Sequence, residues 1–91
     1  MRAYRAILEA GDESGYGVVF PELPGCISVG ETREAALRNA AEALQLHLEG
    51  LEADGIPFPE PRRLDAPLPS WLTDGIPPYR ETERVSIAPK P

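Results

Sequence analysis

The residues that could do chemistry in this sequence are few and widely spaced. Its 91 residues include one cysteine, Cys26, and one histidine, His47. A cysteine nucleophile needs a neighbouring base, whereas a lone cysteine usually packs as a small apolar residue. His47 borders an apolar helical stripe, and we interpret it as a helix-boundary residue with a packing role. We interpret both residues as structural, and together they are too few to ligate zinc.

Acidic residues offer the other route to chemistry, because converging carboxylates can bind a divalent metal and activate water. Asp12, Glu13 and Glu22 lie in predicted loops, but nothing in their spacing requires them to converge. We interpret them as solvated turn charges. The sequence also lacks a glycine-rich phosphate loop and a supported Ser/His/Asp set. The prediction is a protein that is not an enzyme and has no catalytic, metal or cofactor site.

The net charge of −6 argues against a nucleic-acid binder, whose affinity rests largely on basic side chains. The acidic excess is confined to the first 55 residues. Residues 1–31 and 32–55 each have two basic and five acidic side chains, whereas residues 56–91 have five of each. An acidic domain attracts a basic partner and repels RNA. The charge pattern therefore favours a basic partner.

The elements that must position these side chains follow from hydrophobic periodicity. Residues 2–10 alternate, with Tyr4 and Leu8 on one face and Arg5 and Ile7 on the other, which predicts a half-buried strand.

Two further β-rich runs, at residues 16–20 and 26–29, complete a predicted three-stranded antiparallel meander. Residues 33–53 carry apolar side chains at three- and four-residue steps, which predicts a long helix with Thr32 as its N-cap and Gly55 past its end. The predicted fold class is α+β, with the helix covering one face of the meander.

The last third of the chain has a different composition. Nine of the eleven prolines lie in residues 57–91, which excludes a long helix or a central strand there. Alternation at residues 83–88 predicts a short late strand, with Val85 and Ile87 on one face, that adds to the sheet of its own or a neighbouring subunit. Because a chain this small is marginally stable alone, we expect a homodimer or homotetramer with Val85 and Ile87 at its interface.

The sequence also indicates a compartment. No apolar run approaches the roughly 20 residues of a membrane helix, and no secretory signal pattern opens the chain. One cysteine cannot form an internal disulfide. We expect a cytoplasmic protein.

Several short motifs in combination resemble the N-terminal domain of HicB-like antitoxins over about residues 3–61. The strand that runs into Phe20-Pro21-Glu22-Leu23-Pro24-Gly25-Cys26 carries the largest part of the resemblance. The other matching pieces are Gly30-Glu31-Thr32, Glu34-Ala35-Ala36, Glu42-Ala43-Leu44 and the segment Pro57-Phe58-Pro59-Glu60-Pro61.

This resemblance implies a partial ribonuclease-H-like fold without catalytic acids. It divides the chain into a HicB-like α/β domain at residues 1–61 and a proline-rich tail at residues 62–91. Family members typically neutralise a small basic HicA-type ribonuclease toxin. Many also carry a C-terminal DNA-binding segment, which residues 56–91 do not resemble, so we expect no DNA binding by this chain alone.

The main hypothesis is an antitoxin that binds a HicA-type toxin directly. The alternatives are an orphan oligomeric regulator or scaffold of the same fold without a toxin partner, and an enzyme that uses loop carboxylates with a divalent metal. For the antitoxin, the predicted contacts are acids of the loops and of the helix: Asp12, Glu13, Glu22, Glu42 and Glu49.

Overall fold

The computed structural model describes residues 2–10, 15–73 and 80–87, which form a mixed α+β fold. The predicted fold class is confirmed. No helix in these ranges is long and apolar enough to span a membrane. In chain order the elements are β1 (Arg2–Ala10), β2 (Tyr16–Val19), β3 (Ile27–Gly30), α1 (Arg33–Ala53), α2 (Ser70–Thr73) and β4 (Arg80–Ile87).

The four strands form one antiparallel sheet in the order β3-β2-β1-β4. The meander β1-β2-β3 has the predicted connectivity, with Ile7 opposite Val19 and Val19 opposite Ile27. The late strand pairs with β1 of its own chain and places Val85 opposite Tyr4. The sheet therefore spans the division predicted at residue 61, and β1 has a neighbour on each side.

Strand β1 is buried on both faces from Tyr4 to Leu8, so the prediction of a half-buried strand was wrong there. Tyr4 and Leu8 lie in the core beneath α1, while Arg5 and Ile7 on the opposite face are only 1% and 2% exposed. The reason is that the outer face of the sheet, defined here as the face away from α1, is also covered over β1. The alternation of residues indicated which side chains share a face of β1. It did not indicate which segment packs against the outer face.

Helix α1 has the predicted bounds, Arg33–Ala53. The Thr32 hydroxyl accepts a hydrogen bond from the Ala35 backbone N–H at 3.0 Å, which satisfies a donor that the helix start leaves free. Gly55 follows the helix with a φ of +70°, a conformation that favours glycine. Four residues spaced by one turn form the buried stripe: Ala36, Ala40, Leu44 and Leu48.

The first turns of α1 lie very close to the end of β3. A Cβ atom added to Gly30 would lie 2.7 Å from the Ala35 carbonyl carbon and the Ala36 Cα, and closer still to the Ala36 backbone nitrogen. The Asn39 side chain donates to the Val29 carbonyl at 2.9 Å across the same junction. Glycine and alanine therefore set the distance between helix and sheet.

Residues 57–69, here called the proline-rich segment, contact side chains of the sheet through their backbone carbonyl groups. The Tyr4 hydroxyl donates to the Pro59 carbonyl at 2.6 Å, and the Arg84 guanidinium donates to the Arg62 carbonyl at 2.9 Å. Prolines have no N–H to donate but keep a carbonyl acceptor. Tyr4 and Arg84 point to opposite faces, because Arg84 lies opposite Arg5 in the register. The segment thus reaches both faces of the sheet.

The close approach at Gly30 predicts opposite effects for two glycine substitutions. Gly30→Ala should lower the free energy of unfolding by about 1–3 kcal/mol, because backbone must move to admit the methyl group. Gly50→Ala should raise it by about 0.5–1 kcal/mol, because the added Cβ meets nothing within 4 Å and alanine favours helix. Urea denaturation gives the free energy of unfolding of both variants. Equal changes would show that helix and sheet do not approach closely at Gly30.

Candidate partner-binding surface

Arg5 and Glu22 form a buried ion pair on the outer face of the sheet. The Arg5 Nε lies 3.0 Å and its Nη2 2.9 Å from Oε2 of Glu22. The two side chains are 1% and 8% exposed. Arg5 also donates to the carbonyls of Ala66, at 2.6 Å, and Pro67, at 3.1 Å. One guanidinium therefore holds the β2–β3 loop and the proline-rich segment against β1.

This pair corrects the interpretation of Glu22 as a solvated turn charge and removes it from the exposed partner contacts. Its carboxylate is directed inward because the alternation of β1 places a buried guanidinium beneath the loop. A buried cation requires a partner anion. The charges cancel within the chain, so Glu22 presents no free charge to a partner.

The other predicted contact residues are spread over the molecule. Glu42 is exposed and Glu49 is half-buried on α1, where Gln45 Nε2 donates to Glu49 Oε2 at 3.2 Å. Asp12 and Glu13 lie outside the described residues. The structure does not bring Glu22 together with the two helix acids, because α1 covers the opposite face of the sheet.

Val85 lies in the chain's own core, at 6% exposure, so its side chain is not available as a surface contact between subunits. It is buried because β4 pairs with β1 and places Val85 opposite Tyr4. The side chain of Ile87 lies outside the described part of the structure. The Arg33 guanidinium reaches Glu83 on this strand at 2.7 Å and links α1 to β4.

The outer face is uncovered on the side of β3. Ile27 and Val29 are 63% and 71% exposed, although both are apolar residues of a strand. They point away from α1, because the alternate residue Gly30 faces the helix. The proline-rich segment is held at Arg5, on the β1 side. An apolar strip therefore remains open at one edge of the sheet.

A cavity of about 520 Å³ opens beside this strip. Its lining includes Glu9 of β1, Tyr16 and Gly17 of β2, Val29 of β3, and Glu31. Among the residues that the structure describes, this lining includes two acids and no base. Sequence reasoning missed this site, although a glycine inside a strand is a signal that something approaches the backbone there.

Burial of the Cys26 thiol disfavours its ionised, nucleophilic form. Cys26 is 3% exposed, and burial raises its pKa from 9.0 to about 11. The nucleophilic thiolate is therefore scarce near neutral pH. His47 lies half-buried on α1. Within the described ranges, no three His, Cys, Asp or Glu side chains are grouped so that they could hold a metal ion.

Comparison with known protein families matches most of the chain to one family. A family described as "HicB_like antitoxin of bacterial toxin-antitoxin system" matches residues 4–71. A UPF0150 protein of Helicobacter pylori is 49% identical over 53 residues, which cover 58% of this chain and 72% of the relative. Antitoxin HicB 1 of Photorhabdus laumondii is 42% identical over 60 residues, 64% of this chain and 39% of that protein.

A solved structure extends the similarity to the fold. A chain in a HicA3 and HicB3 toxin–antitoxin complex superposes with a TM-score of 0.69 at 25% identity. The alignment covers 97% of this chain and 100% of that one. The similarity therefore includes the proline-rich segment and β4 as well as the helix and meander.

The Arg5–Glu22 pair predicts an asymmetry between two carboxylates. Glu22→Gln should lower the free energy of unfolding by about 3 kcal/mol, because it leaves a buried guanidinium without its counter-charge. Asp65→Asn removes an acid from a pair with Arg63 in which both side chains are more than 70% exposed, and should change stability by less than about 1 kcal/mol. Urea denaturation compares the stability of the two variants. Similar losses of stability would contradict the conclusion that Glu22 neutralises a buried Arg5.

The buried thiol predicts a pH effect at alkaline pH. The unfolded chain loses the Cys26 proton near pH 9.0, whereas the folded chain keeps it to about 11. The stability contributed by the buried thiol should therefore be fully present below pH 9 and fall as the pH rises towards 11. The measurement is the urea midpoint from pH 8 to 10.5, with Cys26→Ala as the control; parallel curves for the two proteins would disprove the effect.

Proposed function

Because this chain belongs to the HicB-like antitoxin family of bacterial toxin–antitoxin systems, we propose that it binds a small basic HicA-type ribonuclease toxin directly and neutralises it. The observation that carries the proposal is the match over 97% of the chain to a protein in a HicA3 and HicB3 complex. On this proposal the chain works by binding and not by catalysis. The proposed site of action is the cytoplasm, where a ribonuclease meets RNA.

The distribution of charge supports a basic partner. Arg5 and Glu22 cancel each other in the interior, so the net charge of −6 is carried by other groups, including the exposed Glu31 and Glu42. Opposite charge on two proteins accelerates their encounter and orients it. The proposed contacts include Glu42 and Glu49 of α1, together with Asp12 and Glu13.

We also propose that the protein forms a homodimer or homotetramer. Val85 is not part of that interface, because it packs in the core of its own chain. Deleting β4 would expose β1 and remove core contacts, so it would disturb the fold before it tested assembly. Light scattering of the intact protein is the direct measurement.

The test of the antitoxin function is co-expression with the HicA-family protein encoded in the same genome. The toxin alone should arrest growth, and this chain should restore it. Purified chain should also bind a toxin whose active-site histidine is replaced by alanine. Failure to restore growth and failure to bind would overturn the antitoxin proposal and favour an orphan regulator.

Electrostatic steering predicts that the helix acids control the speed of association. The double variant Glu42→Lys, Glu49→Lys should reduce the association rate constant at low salt by about tenfold, because it reverses the local field. Glu60→Lys, in the exposed part of the proline-rich segment, is the control and should have a smaller effect. Stopped-flow kinetics at two salt concentrations measures this; a rate unchanged by the double variant would exclude the helix acids.

A further inference from the structure

We propose that the cavity beside Gly17, with the neighbouring side chains of Ile27 and Val29, is a second contact surface for the toxin in addition to the acids of α1, and that the cavity takes a lysine or arginine side chain of the toxin. This inference rests on the proposed function and names the part of the chain that performs it. It is carried by the shape, exposure and charge of the outer face beside β3.

Gly17 lines the cavity and contributes no side chain to fill it. In the register, Gly17 lies between Glu9 on β1 and Val29 on β3. Strands are spaced by about 4.8 Å, so the side chains of Glu9 and Val29 stand roughly 10 Å apart, and Gly17 contributes no side chain between them. A Cβ added to Gly17 meets no atom within 4 Å. A glycine inside a strand weakens the strand unless the space it leaves is used.

The walls of the cavity suit a cation. Glu9 and Glu31 provide carboxylates. A lysine or arginine side chain is attracted by these groups. Arg80 of β4 lies opposite Glu9 in the register, on the side away from Gly17, so Glu31 is the acid through which the charge is best tested.

The exposed apolar side chains argue for a protein partner beside that cation. Ile27 and Val29 are more than 60% exposed on the outer face, next to an opening whose lining is acidic. Interfaces of this kind combine apolar contacts at the centre with charged groups around them. A basic segment with an apolar neighbour therefore matches the surface.

The charge distinguishes the toxin from a second copy of this chain. A two-fold contact places the same surface on both subunits. Two such surfaces would bring Glu9 and Glu31 of one subunit towards the same acids of the other, which is unfavourable. In addition, Asn39 caps the Val29 carbonyl at 2.9 Å, so the backbone of β3 is partly occupied and recognition rests on side chains.

The test is a substitution that fills the cavity with a side chain. Gly17→Leu places an apolar side chain in open space on a strand that needs no left-handed conformation there. The probe is the same-genome HicA-family toxin inactivated at its histidine, and calorimetry measures its Kd. We expect Gly17→Leu to weaken binding by at least about tenfold, the effect of losing one central contact. Urea denaturation confirms that the variant is folded.

Matched variants test whether the loss of binding is specific to the proposed surface or follows from removing any exposed apolar side chain. Ile27→Ser and Ile56→Ser each remove an exposed isoleucine side chain, 63% and 49% exposed, one on the proposed surface and one past the end of α1. Ile27→Ser should weaken binding and Ile56→Ser should not. Glu31→Gln should weaken binding more at low salt than at high salt, because screening reduces the contribution of the carboxylate.

The outcomes distinguish this inference from the function on which it rests. If the unmodified chain neutralises the toxin and Gly17→Leu binds it equally well, the docking surface is wrong and the antitoxin function stands. If the unmodified chain binds no toxin, both are overturned. If Gly17→Leu changes the oligomeric state in light scattering and leaves toxin affinity unchanged, the surface is a contact between copies and the inference fails.

Discussion

The structure depends on how the buried positive charge of Arg5 is neutralised. A guanidinium in the middle of a central strand, 1% exposed, is stable only with an anion and enough acceptors around it. Glu22 supplies the anion, and the carbonyls of Ala66 and Pro67 supply further acceptors. One side chain thus joins three parts of the chain that are far apart in sequence.

This requirement explains how a proline-rich segment can belong to a packed fold. Prolines cannot donate to a sheet ladder, but the segment offers carbonyls, and the sheet offers the hydroxyl of Tyr4 and the guanidinium groups of Arg5 and Arg84. Donors on β1 and β4 meet acceptors on the segment. The second face of the sheet is covered there without a second long helix.

The same arrangement leaves the β3 side of that face open. The covering segment is held at Arg5, and Ile27 and Val29 beyond it stay exposed. Gly17 lies between the covered and the open parts and leaves room for a cavity bordered by acids. The surface we propose for the partner is therefore a consequence of how the core is closed.

Local patterns in the sequence were enough to predict the helix and the strands of the meander. Apolar spacing, the Thr32 cap and Gly55 were enough for the bounds of α1, and alternation with turn residues was enough for the meander, because these features arise between residues close together in the chain. The motifs around Phe20 and Gly30 were likewise enough to indicate the family, because they are short and contiguous.

Which side chains are available to a partner depends on contacts made after the chain has folded. Glu22 looks like any loop acid until Arg5, seventeen residues earlier, is placed beside it. Val85 looks like an interface residue until β4 pairs with β1, and the cavity at Gly17 requires three strands in register. Each outcome depends on contacts between distant residues, which hydrophobic periodicity does not encode.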